Sequence, residues 1–215
     1  MIITLQMLQE KDACGPSVEW FVSHFPDGAD YQAALNKAAE TDKADYADWL
    51  LSNFGGTDDA LELDEITGQH FFFAGSITVR TGITLTGSLK IARSIKAGDG
   101  IKAGNGIEAG DGIKAGNGIK AGWSIKAGNG IEAGNGIEAG NGIEAGDGIK
   151  AGWSIKAGWR IKAGNGIEAG NGIEAGNGFG IFAGIHVRIA EWSIRAKVTA
   201  KNRPDNLISG YWADE

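Results

Sequence analysis

The stretch IKAGDGIKAGNGIEAGDGIKAGNG, residues 95–118, repeats a six-residue unit without interruption. The unit is Ile, then Lys or Glu, then Ala and Gly, then Asn, Asp or Trp, and finally Gly, Ser or Arg. Because alternate residues of a strand point to the same side, Ile and Ala should face inward and the charged residue between them should face water. The Gly-Asn-Gly that follows supplies residues tolerant of positive φ, which a tight corner needs. Each hexapeptide is therefore predicted to form one short strand and one corner.

The six-residue period extends well beyond this stretch in both directions. Large apolar residues recur at every sixth position from Phe71, Ile77, Ile83 and Leu89 through to Ile173, Phe179 and Ile185. The third position is also apolar, and it is Phe73, Val79, Leu85 and Ile91 at the start, Ala in the middle, and Ile181 and Val187 at the end. The pattern predicts a β-solenoid from residue 71 to about residue 190.

The outward Lys and Glu residues indicate how many strands make one coil. Stacked coils place equivalent side chains about 4.8 Å apart, where opposite charges attract and like charges repel. With three hexapeptides per coil, ten of the twelve stacked pairs in residues 90–174 are opposite in sign, whereas two hexapeptides give eight of thirteen. The charges therefore predict triangular 18-residue coils, roughly six of them. The exceptions are Lys96 above Lys114 and Lys102 above Lys120.

The period and the inward aliphatic residues resemble the hexapeptide-repeat left-handed β-helix family. The resemblance implies a mainly β fold, a single-stranded triangular solenoid with left-handed coils. The family's hexad carries a small residue at its fifth position, whereas here that position is Asn, Asp or Trp and the small residue is the third-position Ala. The handedness is therefore left open. Enzymes of this family are mostly acyltransferases that use a histidine as base, so acyl transfer is an alternative function.

The ends of the chain do not follow the repeat. Residues 1–66 are predicted to form an acidic helical cap over the first coil of a solenoid spanning residues 67–190, and residues 191–215 a strand and tail over the last coil. Open solenoid ends expose strand edges, which gives both segments a structural role. Within the cap we expect a short strand at residues 2–8 and helices over residues 17–25, over residues 31–39 behind the N-cap Asp30, and from residue 41 or 42 onward. In the tail we expect a strand over residues 191–201, with Tyr211-Trp212 folding back.

The cap segment resembles a recurring N-terminal module of bacterial and prophage proteins that often precedes low-complexity repeats, including Ile-Lys-Ala-Gly arrays. The matching features are Ala13-Cys14, Val18, Phe21, Phe25-Pro26, and Asp48 followed directly by Trp-Leu-Leu. The resemblance implies a phage or mobile-element setting, in which small non-enzymatic proteins block host enzymes or defence complexes. It assigns no activity of its own.

The net charge of -7 is divided unevenly along the chain. Residues 1–66 hold 14 acidic and 3 basic residues, whereas residues 67–215 hold 13 acidic and 17 basic residues. An acidic surface repels nucleic acid and attracts a basic groove of a protein, although it can also be a merely solvated surface. The candidate binding residues are Asp42, Asp45, Asp48, Asp58, Asp59, Glu62, Asp64 and Glu65.

Three tryptophans occupy corner positions of the array, namely Trp123, Trp153 and Trp159. Three-sided stacking places Trp123, Asn141 and Trp159 on one edge and Trp153 on another. Corners face solvent, and exposing a Trp side chain to water is energetically unfavourable unless it binds a partner. These residues are therefore candidates for an interface. The alternative is that each ring packs flat along the glycine-rich corner.

The sequence predicts no catalytic site, metal site or cofactor. His186 is the one histidine within the repeat, at an outward position where a surface residue is the simpler reading than an acyltransferase base. Cys14 has no partner at metal-ligand spacing and is predicted to be a buried packing thiol. With a single cysteine, no secretion signal and no apolar run that could span a membrane, the expected location is the cytoplasm.

These observations predict a non-enzymatic protein-interaction scaffold. Its most specific form is a phage- or mobile-element-encoded inhibitor of a host nucleic-acid-handling defence system, of the anti-CRISPR type, that masks a partner surface. The expected partner is a protein with a basic groove, and a homodimer is compatible with this interpretation. The alternatives are a hexapeptide-repeat acyltransferase and a structural spacer.

Overall fold

The computed structural model describes residues 1–176 and 180–213, so Phe179 of the repeat lies outside the described residues. The described part is dominated by a parallel β-solenoid whose strands form three sheets of seven, eight and nine members. Within the repeated array, neighbours in a sheet are 18 residues apart, as for Ile113 beside Ile131, and the spacing changes only where the first and last strands join the stack. The triangular coil is therefore confirmed. The solenoid has about eight coils rather than six, because strands stack beyond both ends of the repeated sequence.

Each sheet forms one flat face of the solenoid, and the three faces follow one another in chain order. Face 1 contains Ala60–Leu63, Ser76–Val79, Ile95–Ala97, Ile113–Ala115, Ile131–Ala133, Ile149–Ala151, Ile167–Ala169, Lys197–Thr199 and Tyr211–Trp212. Face 2 contains Ile66–Gly68, Ile83–Leu85, Ile101–Ala103, Ile119–Ala121, Ile137–Ala139, Ser154–Ala157 and Gly172–Ala175. Face 3 contains Phe71–Phe73, Leu89–Ile91, Ile107–Ala109, Ile125–Ala127, Ile143–Ala145, Ile161–Ala163, Ile181–Phe182 and Leu207–Ser209.

The interior of the solenoid is a continuous column of Ile and Ala side chains. Ile113 and Ala115 are buried, whereas Lys114 between them is exposed, as the alternation predicts. The coils are joined by backbone hydrogen bonds from both ends of each strand. The Ile113 N–H donates to Gly130 O at 3.0 Å, and the Gly116 N–H donates to Ala97 O at 3.1 Å.

The corner glycines are needed for close approach and not for positive φ. The described glycines with positive φ all lie outside residues 95–176, so the expectation of positive φ at the Gly-Asn-Gly corners is wrong. The glycine that follows each Ala instead lies against the backbone of the preceding coil. A Cβ atom on Gly134 would clash with the carbonyl oxygen of Gly116, whereas a Cβ atom on Gly136 would lie 3.4 Å from its nearest neighbour, the Ser154 carbonyl oxygen.

The outward charges form the ladders that the 18-residue register predicts. Lys114 contacts Glu132 at 3.0 Å and Lys120 contacts Glu138 at 2.9 Å, and similar pairs continue along both faces. The two like-charged exceptions also lie side by side, at Lys96–Lys114 and Lys102–Lys120. Exposed pairs of this kind contribute about 0.2–1 kcal/mol each. Their main effect is to favour one stacking register in a sequence that otherwise repeats itself.

The C-terminal segment extends the solenoid. The strand expected over residues 191–201 is mostly wrong, because Ile189–Glu191 forms a 3-10 turn and Trp192–Arg195 a short helix before the strand Lys197–Thr199. That strand pairs with Ile167–Ala169 on one side and with Tyr211–Trp212 on the other. Trp212 packs against the end of the apolar column.

The N-terminal cap contains four helices, α1 (Leu5–Glu10), α2 (Gly15–His24), α3 (Tyr31–Glu40) and α4 (Ala44–Phe54). The strand expected over residues 2–8 is limited to Ile2–Ile3, which pairs with Ala29–Asp30, because the Thr4 hydroxyl accepts from the Met7 N–H and starts α1. Asp30 caps α3 as predicted, accepting from the Gln32 N–H at 2.9 Å. Among the described residues, no helix combines the length and apolar character that crossing a membrane requires.

Two alanine substitutions test the close approach of the coils. We expect Gly134→Ala to lower the free energy of unfolding by about 1–3 kcal/mol, because its methyl group meets a rigid backbone carbonyl. Gly136→Ala is the matched control and should change it by less than about 0.5 kcal/mol, since Ser154 already occupies the equivalent position in the next coil. Urea unfolding of both variants measures the difference, and equal destabilisation by the two would contradict this account.

Candidate interaction surfaces

The cap lies against face 3 of the first coils. Phe72 is in register with the outward residue Lys90, yet it is buried within the apolar core of the cap, together with Ala74. Gln32 of α3 fixes this contact with two hydrogen bonds, accepting from the Ala74 N–H at 3.0 Å and donating to Phe72 O at 2.8 Å. The cap therefore covers the first coil from its side, through an apolar patch that interrupts the charged ladder.

His70 anchors one edge of this contact. Its side chain is 1% exposed, and its Nε2 lies 2.8 Å from Asp42 Oδ1. Its Nδ1 accepts from the Ser88 N–H at 2.9 Å, and a backbone N–H can only donate. The proton must therefore sit on Nε2 and be donated to Asp42, which fixes the tautomer and orients the ring between cap and solenoid.

Three further acidic residues are paired with bases of the solenoid. Lys90 binds Asp48 of α4 and also lies 3.5 Å from Glu108. In the linker and first coil, Asp58 contacts Arg93 at 3.1 Å and Asp64 contacts Arg80 at 2.7 Å. Half of the eight predicted binding acids thus have an internal role. Sequence reasoning missed their basic partners, although the charge asymmetry between the two segments was the signal for them.

The other four predicted acids remain available at the surface. Asp45, Asp59, Glu62 and Glu65 are exposed, and no ion pair involving them is seen within residues 1–176 and 180–213. Asp59 accepts a hydrogen bond from the neighbouring Thr57 hydroxyl at 2.8 Å. We call these four residues the acidic surface. Asp45 is at the start of α4 beside face 3, Asp59 and Glu62 are at the first strand of face 1, and Glu65 borders a cleft on face 2, so the four residues are distributed around the first coil.

Two opposing effects act on the pKa of Asp48, the partner of Lys90. Burial raises the pKa of the Asp48 carboxyl above its ordinary value, and the hydrogen bond and charge of Lys90 oppose that rise. The Lys90 side chain is only 11% exposed, whereas that of Asp48 is 45% exposed. The pair therefore holds a cation against the cap that would be poorly solvated without its carboxylate.

A cleft beside the cap brings together two of the features predicted from sequence. It has a volume of about 420 Å³ and lies on face 3 between the start of α4 and a solenoid corner. Its lining includes Asp48, Lys90, Glu108, Trp123, Ser124 and Lys126. Trp123 is 67% exposed at this site. An acidic residue of the cap and a corner tryptophan thus border the same space.

The other two tryptophans lie further along the solenoid, on the edges that three-sided stacking predicts. Trp153 is 64% exposed and borders a second cleft, of about 540 Å³, with the loop of residues 202–206. Trp159 is 55% exposed and lies on the same corner as Trp123. All three tryptophan residues therefore keep more than half of their surface accessible.

Two residues depart from their predicted surroundings. Cys14 is exposed rather than buried, because it precedes α2 on the solvent side, and its hydrogen bond with Ser17 lowers the pKa of the thiol. His186 lies in a turn rather than on an outward strand position, with Nδ1 3.3 Å from Gly146 O. No group of three His, Cys, Asp or Glu side chains suited to a metal ion occurs in the described part of the chain.

The cap is similar to a domain that is recognised as a unit of its own. Residues 1–54 match the family model described as the YdhT N-terminal domain, and the match ends at the last residue of α4. It covers 54 of the 215 residues. No curated protein and no solved structure matches the chain.

Replacing Lys90 with Met tests the charged contact between cap and solenoid. We expect the free energy of unfolding to fall by about 1–3 kcal/mol at pH 7, because the half-buried Asp48 carboxylate loses its charged donor. Without Lys90 the pKa of Asp48 should rise further, since the hydrogen bond and charge of Lys90, the largest effects that oppose the rise, are gone. A carboxyl with a raised folded-state pKa contributes stability at low pH that is lost as the pH rises through that pKa. The deficit relative to wild type should therefore shrink at pH 4.

Urea unfolding at both pH values measures this deficit. The control is the double variant Lys90→Met with Asp48→Asn. The single variant should be less stable relative to this double variant at pH 7 than at pH 4, because only the single variant carries the Asp48 carboxyl. A deficit of the single variant that is equal at pH 7 and pH 4 would contradict the assignment.

Proposed function

We propose that the protein is a non-enzymatic scaffold that binds a partner protein through the acidic surface of its cap and first coil. The observation that carries the proposal is that Asp45, Asp59, Glu62 and Glu65 are exposed and form no ion pair within the described residues, whereas the charges of four neighbouring acids are partly neutralised by pairing. A partner with a basic groove is the expected complement, because opposite potentials steer association and select among partners.

The manner in which the cap is held supports this proposal. The cap is fixed on the solenoid by three kinds of contact, namely the apolar contacts of Phe72, the hydrogen bonds of Gln32 and the ion pair of Lys90. A binding surface that is already ordered loses little conformational entropy when it binds. The match of residues 1–54 to a separate family model favours a cap with a role beyond shielding a strand edge.

A narrower form of the proposal is an inhibitor of a host nucleic-acid-handling defence system, of the anti-CRISPR type. It is supported by the resemblance of the cap to prophage-type modules, by the hexapeptide array with its expected left-handed winding, and by the acidic surface. A groove that binds phosphates is lined with Lys and Arg, so an acidic protein surface can occupy and mask it. The proposed setting is the cytoplasm of a host cell, and the proposed partner is a protein rather than nucleic acid.

Reversing the acidic surface tests the proposed function. The variant Asp45→Lys, Asp59→Lys, Glu62→Lys, Glu65→Lys leaves the four paired acids unchanged, namely Asp42, Asp48, Asp58 and Asp64. We expect it to lose a partner that the wild type captures from the native host, with recovery reduced at least about tenfold in quantitative mass spectrometry.

The control carries the same charge change at other exposed positions. Glu10→Lys, Glu19→Lys, Asp27→Lys, Asp205→Lys should retain the partner, because these residues lie outside the acidic surface. Unchanged capture by the first variant, or equal loss by both, would refute the assignment of the binding surface.

A further inference from the structure

Trp123 and Trp159 lie on one straight ridge that runs along the solenoid between faces 2 and 3. The ridge is formed by the corner residues Asn105, Trp123, Asn141 and Trp159 of four successive coils. Each backbone N–H donates to the carbonyl of the ridge residue before it, at 3.0, 2.7 and 2.9 Å in chain order. This tryptophan ridge is therefore held in register by the same hydrogen bonds that stack the coils.

The two rings of the tryptophan ridge have a defined separation. Each coil advances by about 4.8 Å, so Trp123 and Trp159 are about 9.6 Å apart along the ridge. Asn141 lies between them, and the two rings are 67% and 55% exposed. Two flat apolar surfaces are thus presented at a fixed spacing on a scaffold that cannot easily change it.

We propose that the tryptophan ridge binds an extended β-1,4-linked glycan chain lying parallel to the solenoid axis. In such a chain each sugar ring is turned over relative to the ring before it, so every second ring presents the same face. The repeat of that face is one disaccharide, close to the separation of the two tryptophans. The C–H groups of a ring face pack well against an indole, and two alternate rings would stack on Trp123 and Trp159.

The surroundings of the ridge suit a ligand rich in hydroxyl groups. Face 3 beside it carries Glu108, Lys126, Glu144 and Lys162, which alternate in sign. Ser124 and the Asn141 amide add polar groups at the level of the rings. Equatorial hydroxyls both donate and accept, so they can bind either sign of charge at the ring edge. An amphipathic helix needs a continuous apolar strip, which this ridge of alternating Trp and Asn does not offer.

The first experiment measures how affinity depends on the length of the glycan. Isothermal titration of the full-length protein with chito- and cello-oligosaccharides compares disaccharides with trisaccharides, and the two series distinguish an acetamido from a hydroxyl substituent. Only a trisaccharide has first and third rings that reach both tryptophans. We expect its dissociation constant to be at least about tenfold lower than that of the disaccharide. Maltotriose, which is α-1,4-linked and curved, should show no such gain.

The chain supplies its own control substitutions, because Asn and Trp both occur naturally at these corners. Trp123→Asn or Trp159→Asn should abolish the gain in affinity that the third sugar ring provides. Trp153→Asn, on a different corner, should leave that gain unchanged. The variant Trp123→Asn with Asn141→Trp keeps two ring residues on the ridge but places them about 4.8 Å apart. It should bind the trisaccharide no better than the disaccharide.

Four outcomes would overturn the proposal. The first is that no trisaccharide binds at millimolar concentration, and the second is that Trp153→Asn lowers the affinity for the trisaccharide as much as Trp123→Asn does. The third is that the variant with shifted spacing keeps the gain in affinity for the trisaccharide. The fourth is that the protein binds no sugar but self-associates, and that Trp123→Asn abolishes this self-association. The last outcome would make the ridge a contact between two copies of the chain. None of these results bears on the acidic surface, so the two proposals stand or fall separately.

Discussion

The stacking of one coil directly on the next is the constraint on which the rest of the structure depends. Within residues 97–176 it requires a residue without a side chain after each inward Ala, because a Cβ atom there would meet the backbone carbonyl of the preceding coil. Where that approach is allowed, the backbone hydrogen bonds close and every position of the hexad is repeated about 4.8 Å further along. The charged ladders, the apolar column and the tryptophan ridge all follow from this single spacing.

Departures from the repeat change what the surface of the solenoid presents. Phe72 replaces an outward charged residue and becomes the apolar contact for the cap. Trp123, Trp153 and Trp159 replace corner Asn or Asp residues and keep more than half of their surface exposed. A perfectly regular array would present only polar ladders, so these substitutions give the solenoid its apolar surface features.

Charge has two distinct uses in this protein. Along the array, exposed Lys and Glu residues select the register at little gain in stability. At the cap, acids from one segment meet bases of another, and the half-buried pair of Lys90 and Asp48 contributes to holding the two together. The acidic surface, Asp45, Asp59, Glu62 and Glu65, takes no part in these ion pairs. A total of 14 acids over residues 1–66 therefore overstates the charge that a partner would meet.

The sequence by itself determined the periodic part of this protein. The six-residue spacing placed Ile and Ala inside, the signs of the Lys and Glu residues gave three strands per coil, and the same register put Trp123 and Trp159 on one edge. Such inferences succeed because, in a repeat, residues that are neighbours in space are separated by a fixed number of positions in the sequence. Tertiary structure alone decided where the cap docks, that His70 binds Asp42, that Cys14 is exposed, and that residues 197–212 continue the stack. Those contacts join segments that share no period, so they depend on which surfaces meet in three dimensions and leave no local signal in the sequence.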